Sequence, residues 1–151
     1  MALTIEDGTD IAGADSFVTL VEYAAKQVDL FGAALDGTDV IKEAALRRAF
    51  LYLKSLTWKA DYPFPTLGGE IPAEVKTAQA ILARYEQATP NGLQPTVTPG
   101  QLKVLTSVGS ISWMSLAQGG VNAQRGAVLM ADDLLKPFLS GVGGVKFLAR
   151  A

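Results

Sequence analysis

The stretch at residues 39–56, DVIKEAALRRAFLYLKSL, decides the fold class of this chain. Its apolar residues recur at steps of three and four, which is the repeat of an α-helix that buries one face. The central stripe is formed by Ile41, Ala45, Ala49, Leu53 and Leu56, with Leu46 and Phe50 beside it. The pattern predicts an amphipathic helix that begins near Asp39 and packs against other helices.

The preceding segment carries the start and stop signals of another helix. Residues 19–22, TLVE, form a capping box. In this motif the Thr19 hydroxyl accepts from the Glu22 amide, and the Glu22 carboxylate accepts from the Thr19 amide. Gly32 suits the left-handed residue that follows a helix. A helix is therefore predicted between Thr19 and Gly32.

Two further helices are predicted from their ends. Pro72 suits the first position of a third helix, which residues 89–92, TPNG, would end. A short final helix is predicted from Ala131. Asp132 and Asp133 would cap its N-terminus, where the helix dipole favours negative charge.

Between the third and fourth predicted helices, the pattern changes to residues typical of strands. Residues 101–108 and 111–116 alternate in part between apolar and polar, and they flank Gly109-Ser110. Such a pattern predicts a two-stranded hairpin at about 101–116. The predicted fold is mainly α, a small bundle of three to four helices with a short β-hairpin. It forms one domain at 1–140, and the Gly-rich residues 141–151 form a flexible, extended C-terminal arm.

The composition argues against catalysis. The chain has no cysteine and no histidine, which removes thiolate nucleophiles, histidine bases and most transition-metal sites. We therefore expect a protein that is not an enzyme, with no catalytic residue, no metal ligand and no cofactor. A charged share of 19% with 49% hydrophobic residues indicates apolar surface buried against partners, although small alanine-rich domains share this bias.

The sequence gives no sign of a membrane partner. Its apolar stretches are interrupted well short of the ~18 residues that a membrane span needs. The first residues, MALTIED, lack the basic and apolar regions of a signal peptide. We expect synthesis in the host cytoplasm.

Charge is unevenly distributed along the chain. Residues 1–45 carry nine acids against two bases, residues 46–151 carry six acids against eleven bases, and the net charge is −2. This polarity would help subunits meet head to tail, or present a less repulsive face to DNA. Chance placement in a nearly neutral chain is the alternative.

Two segments have the residue types of a ligand site. Residues 6–10, EDGTD, resemble half of a calcium loop but lack its terminal bidentate glutamate, so a solvated turn is favoured. Trp58, Lys59, Tyr62 and Phe64 combine rings with a base, as single-strand binders do. The alternative is that these rings pack under the helices, and the lack of further bases nearby favours it.

Several blocks of sequence resemble a phage protein family. They are residues 6–9 (EDGT), 14–19 (ADSFVT) with Glu22, 42–49 (KEAALRRA), Tyr52-Leu53, Trp58-Lys59, 71–79 (IPAEVKTAQ) and 134–141 (LLKPFLSG). The blocks extend over almost the whole chain, and their order is more specific than any one of them. Members of the family are often labelled DnaT-like single-stranded-DNA-binding proteins.

Members also resemble the helical adaptor subunits of phage head–tail connectors. That resemblance implies a dodecameric ring of copies of the chain, seated on the portal protein within the virion, with DNA passing through the lumen. It also implies that a stopper, neck or tail-completion protein binds the opposite face. The arm would anchor the ring in the portal through Val145, Lys146, Phe147, Leu148 and Arg150.

The two functions make different physical demands. A single-strand binder needs a cationic groove with stacking rings. A ring subunit needs apolar contact surface and a lumen with little affinity for DNA. The net charge, the scattered bases and the Gly-hinged apolar arm favour the connector over the DnaT-like DNA binder. A plain interaction domain with neither role is the remaining alternative.

Overall fold

The structure of the chain is a computed structural model that describes residues 2–93 and 128–140, together with the backbone of 103–107 and 112–115. Its described elements are α1 (Leu20–Phe31), α2 (Asp39–Lys54), α3 (Ala73–Ala88), β1 (Lys103–Ser107), β2 (Ser112–Ser115) and α4 (Leu129–Leu135). The prediction of a mainly helical fold is confirmed. α3 lies at its centre, because α1, α2 and α4 all pack against it.

The two strands pair antiparallel, with Val104 opposite Met114 and an irregular register between Leu105 and Ser107. Residues 108–111, which join the two strands, lie outside the described residues. So do residues 101, 102 and 116, at the two ends of the predicted hairpin. The predicted hairpin at about 101–116 therefore stays a prediction. The predicted arm, 141–151, also lies outside the described residues.

The ends of α1 follow from local hydrogen bonds. The Glu22 amide donates to the Thr19 hydroxyl at 3.2 Å, and the Thr19 amide donates to the Glu22 carboxylate at 2.8 Å. The Thr19 amide, and more weakly the Thr19 hydroxyl, donate to the Glu22 carboxylate and hold its pKa below the usual value, with a smaller contribution from nearby Lys76. Gly32 ends the helix with φ of 77°, the left-handed conformation that a glycine adopts without strain. The predicted helix is confirmed at both ends.

The core lies between α2, α3 and α4. It comprises buried side chains of each, among them Ala45, Leu46, Ala49, Leu53, Val75, Ala78, Leu82, Ala131 and Leu135. A leucine buried in this way contributes roughly 1.5–3 kcal/mol relative to an exposed one. The stripe predicted on α2 is thus the buried face, except at its first member and at Leu56, which lies beyond the helix and is only partly buried.

Three details of the predicted helices are wrong. Ile41 is half exposed, because the first turn of α2 extends beyond the core. Neither Asp132 nor Asp133 caps α4, since the helix begins earlier than predicted and Val128 is its N-cap residue. Asp133 pairs with Lys136 instead, and Pro72 is the N-cap residue of α3 rather than its first helical residue.

The N-terminal turn is built around a buried carboxylate. Glu6 is fully buried, and its oxygens accept from the amides of Gly8 at 2.8 Å, Asp10 at 2.9 Å and Ile11 at 2.8 Å. This carboxylate is thus occupied by backbone donors. The prediction of a solvated turn is wrong for Glu6, because its carboxylate is buried inside the turn and binds the backbone amides around it.

Gly8 lies where a side chain has no room. Its φ is +107°, and a Cβ at this position would lie 2.4 Å from the carbonyl oxygen of Gly69. The turn thereby packs backbone to backbone on the loop that precedes α3. Gly13 has a similar φ of +78°, but nothing lies within 4 Å of its Cβ position.

We expect Thr19→Ala to lower the free energy of unfolding by about 1 kcal/mol, because it removes the acceptor for the Glu22 amide. Urea denaturation at neutral pH measures this loss.

Ionised Glu22 has a lowered pKa in the folded state. Its contribution to the free energy of unfolding is therefore present above the unfolded pKa and is lost as pH falls through the folded pKa. In the Glu22→Gln variant, the free energy of unfolding should lack this dependence on pH. If the variant and the unaltered chain gave the same profile of stability against pH, this prediction would be wrong.

Gly8→Ala and Gly13→Ala form a matched pair. Both place a side chain at positive φ, at about 1–2 kcal/mol each, but only Gly8→Ala also forces the turn away from Gly69. We expect Gly8→Ala to be the more destabilising by a further ~1–3 kcal/mol. Thermal unfolding followed by circular dichroism compares them. If both variants lost the same stability, the backbone around Gly69 would have moved aside for the new side chain at no energetic cost.

Candidate functional site

The loop predicted to contact DNA has its rings packed on one another. The ring centroid of Phe64 lies 5.6 Å from that of Phe17, 5.1 Å from that of Phe50 and 5.7 Å from that of Trp58. Aromatic pairs at such distances stabilise a core beyond the area they bury. Much of the ring surface that could stack on bases is therefore used inside the protein.

The same loop is fastened to the segment after α4. The Trp58 indole donates to the Leu53 carbonyl at 2.9 Å, and Tyr62 packs edge-on against Phe138 with centroids 5.0 Å apart. Lys59 donates from its backbone to the Phe138 carbonyl at 3.0 Å. The Lys59 ammonium donates to the Pro137 carbonyl at 2.5 Å. These contacts favour the packing interpretation, and a DNA contact by the exposed Lys59 stays a prediction.

The arginines of α2 are held in ion pairs. Arg47 lies 2.6 Å from Asp15 and 3.4 Å from Glu43, and the hydrogen bond to Asp15 raises the Arg47 pKa. Arg48 lies 2.8 Å from Glu86, whose carboxylate is buried. The carboxylate in such a pair neutralises part of the charge of the arginine and so weakens its attraction for a phosphate.

Arg84 of α3 is also engaged. Its guanidinium donates to the Gln27 side chain at 2.9 Å and to the Ala33 carbonyl at 2.8 Å. It also lies 4.4 Å from the centroid of the Phe31 ring, a cation–π contact. This arginine thus supports the connection between α1 and α2.

The lysines without a carboxylate partner are spread over the described body. Within residues 2–93 and 128–140, five lysines form no salt bridge: Lys26, Lys42, Lys54, Lys59 and Lys76. Of these, Lys26 donates to the Thr77 hydroxyl at 3.0 Å and Lys59 to the Pro137 carbonyl. Lys42 and Lys54 lie near opposite ends of α2, about 18 Å apart along the helix axis. Lys76 belongs to the first turn of α3. Such spacing does not make one cationic groove.

A buried glutamine that the sequence analysis did not single out joins three segments. Gln79 accepts from the Phe17 amide at 2.9 Å and donates to the Ser16 hydroxyl and to the Leu46 carbonyl, both at 3.1 Å. It ties the N-terminal segment to α2 and α3. The only signal in the sequence is an amide side chain beside the apolar positions of α3.

The connection between α1 and α2 presents apolar side chains to solvent. We name this region the corner surface. Its exposed apolar residues are Val28, Leu30, Phe31, Val40 and Ile41, and its exposed acids are Asp29, Asp36 and Asp39. Val40 is 72% exposed. Exposed apolar side chains that occur close together are a common feature of contact surfaces.

The corner surface is held in shape by side chains from both neighbouring helices. Gln27 accepts from the Leu35 amide at 2.8 Å, and Gln87 donates to the Asp36 carbonyl at 3.0 Å. The Tyr23 hydroxyl donates to Gln87 at 2.8 Å, and burial raises the pKa of Tyr23 well above its usual value. These hydrogen bonds join the connection to α1 and α3, although most of its own residues are exposed.

Other parts of the described surface offer less chemistry. A cleft of about 280 Å³ is lined by Arg48, Leu51, Glu86, Asn91 and Leu93. Its carboxylate already accepts from Arg48 and from the Asn91 and Leu93 amides. No group of three acidic side chains in the described residues is placed to hold a metal ion. None of the helices there is long and apolar enough to span a membrane.

The blocks that carry the family resemblance have structural roles here. Residues 6–9 contain the buried Glu6 and the confined Gly8, and Asp15 accepts from the Thr4 amide and binds Arg47. Residues 71–79 supply Gln79. The resemblance thus reports how the helical body is held together.

The residues predicted to bind the portal, Val145, Lys146, Phe147, Leu148 and Arg150, lie outside the described residues. No curated protein and no solved structure matches the chain. A family model described as "Putative DnaT-like ssDNA binding protein" matches residues 1–151. Because this match extends over the full sequence, the chain belongs to that DnaT-like family.

Proposed function

We propose that the protein binds single-stranded DNA, as its family description says, and does so through few phosphate contacts. The match of the family model over residues 1–151 is the observation that carries this proposal. It agrees with the alternative that the sequence analysis set beside the connector. A second observation limits the strength of binding, namely that the arginines of α2 and α3 are engaged within the protein.

The available cations lead to a weak, sequence-tolerant mode of binding. Phosphate neutralisation dominates the affinity of such proteins, so each committed arginine removes a potential contact. Lys42, Lys54 and Lys76 remain in the described body. Residues 93–131 add no acid to repel a phosphate, although they supply only Lys103 and Arg125. We therefore expect contacts with a few phosphates at a time.

We expect binding of a fluorescent oligo(dT) strand to weaken gently with salt. Each phosphate contact on a single strand contributes about −0.7 to the slope of log K against log salt, so three lysines give about −2. Fluorescence anisotropy titrations at several salt concentrations measure this slope. Changing Lys42, Lys54 and Lys76 together to glutamine should flatten it, whereas Lys136→Gln should not, because Lys136 already pairs with Asp133.

Two outcomes would contradict this account. No binding at low salt would remove the single-strand function. Sub-micromolar binding at physiological salt with a steep slope would mean that many phosphates are held, through a groove that the described cations do not form.

A second candidate function is the subunit of a phage head–tail connector. The specific observation in its favour is apolar exposure on more than one helix of the body, where Val21 of α1 is 79% and Leu51 of α2 is 56% exposed. A subunit held between a neighbour on each side, a portal and a neck protein needs several contact faces. Weak DNA contact suits this role also, because DNA must pass through the ring.

For the connector, we expect the protein to join the portal protein of the same phage at about one copy per portal subunit. Native mass spectrometry of the mixture measures this ratio. Removing 145–151 should abolish attachment and leave unfolding by urea nearly unchanged, because the arm is proposed to bind the portal. A protein that never joins portal would exclude this candidate, and a much lower melting temperature after truncation would place the arm in the core.

A further inference from the structure

The corner surface combines apolar contact area with three exposed acids. From Gln27 to Ile41 the chain carries Asp29, Asp36 and Asp39, while the nearby Arg84 is held on the Phe31 ring and the Ala33 carbonyl and Lys42 follows Ile41. All three acids are exposed beside the exposed apolar side chains. A partner that buries this surface therefore needs apolar side chains for contact and basic side chains around them.

The surface is already shaped for a partner. Arg84 fixes the Ala33 carbonyl, Gln27 fixes the Leu35 amide, and Gln87 fixes the Asp36 carbonyl. An exposed connection held in this way loses little further freedom when it is covered, which lowers the cost of binding.

The chain itself contains a segment with the complementary chemistry. Val145, Phe147 and Leu148 are apolar, Lys146 and Arg150 are basic, and no acid occurs after Asp133. We infer that residues 145–150 of one copy dock on the corner surface of a second copy. The apolar side chains would cover Val40 and Ile41 and their neighbours, and the two cations would lie near the three aspartates.

The arm of a given copy reaches its own corner surface only if it is fully extended. Ser140 is fixed beside the C-terminal end of α2, since its amide donates to the Thr57 carbonyl at 2.9 Å. The corner surface lies at the other end of α2, a helix of 16 residues with a length of about 24 Å. The seven residues from Ser140 to Phe147 reach at most about 25 Å. Docking within one copy would therefore need a straight path along α2 with no slack, whereas docking on a second copy has no such limit.

This docking requires neither candidate function. It makes the contact between copies heterologous, because two different surfaces meet. It also uses the residues proposed to enter the portal, so the two contacts exclude each other. The test therefore uses the full chain without portal protein or DNA.

The experiment compares three double variants by sedimentation velocity. One alters the corner surface (Val40→Ser with Ile41→Lys), and one alters the arm (Phe147→Ser with Leu148→Ser). The third is a control at another exposed apolar pair in the first turn of a helix (Leu129→Ser with Met130→Lys). We expect the unaltered chain and the control to self-associate. The corner and arm variants should each weaken association about tenfold or more.

Mixing gives the decisive result. Equal amounts of the corner variant and the arm variant should restore a 1:1 dimer, because one partner keeps an intact arm and the other an intact corner surface. Circular dichroism melts should match across the variants, since the altered side chains of the body are exposed. The inference is wrong if the unaltered chain is monomeric, if the corner variant associates normally, or if the mixture stays monomeric.

Discussion

The polar side chains of α3 are the constraint on which the rest of the structure depends. Gln79 holds the segment before α1, Arg84 and Gln87 hold the connection between α1 and α2, and Glu86 holds the turn after α3. Each bonds backbone groups that would otherwise be left unpaired at the edge of a small core, where an unmade hydrogen bond costs about 1–3 kcal/mol. One helix thus fixes the core through its apolar face and the loops through its polar residues. One polar group is left unpaired in the described part of the chain: Gln27 Nε2 is buried without a hydrogen-bond partner, which lowers stability.

The helices could be predicted from the sequence because their determinants are local. Thr19 and Glu22 are three residues apart, and their mutual bonds require no knowledge of the remaining chain. The contact between Gln79 and Phe17 joins residues 62 positions apart, and no short pattern encodes it. Ile41 illustrates the same limit, because its spacing matches the buried stripe of α2 while the tertiary structure leaves the first turn uncovered. The periodicity of apolar residues predicts which face of a helix is buried. It does not predict how much of the length of that face the neighbouring helices cover.

The candidate site was harder to predict than the fold. The mixture of rings and a base around Trp58 and Phe64 was compatible with DNA contact or with packing, and only the centroid distances favour packing. The corner surface gave no signal in advance, because exposed apolar residues look like core residues in a sequence. Its identification needed the positions of Gln27 and Gln87, which keep the connection open to solvent instead of letting it collapse onto the body. The blocks that carry the family resemblance likewise include residues that hold the body together, such as Asp15 and Gln79.

Glu86 has a consequence for how this protein can change during evolution. Its carboxylate accepts from the amide of the buried Leu93, a few residues after α3 ends. Further along the chain, α4 packs against α3 and buries Ala131 and Leu135. The Glu86 carboxylate also binds Arg48 of α2, so the chain leaves α3 at a point that is fixed relative to two helices. A substitution of Glu86 would therefore release the turn after α3 and the ion pair with α2 together, and this position can change only if both of its partners change with it.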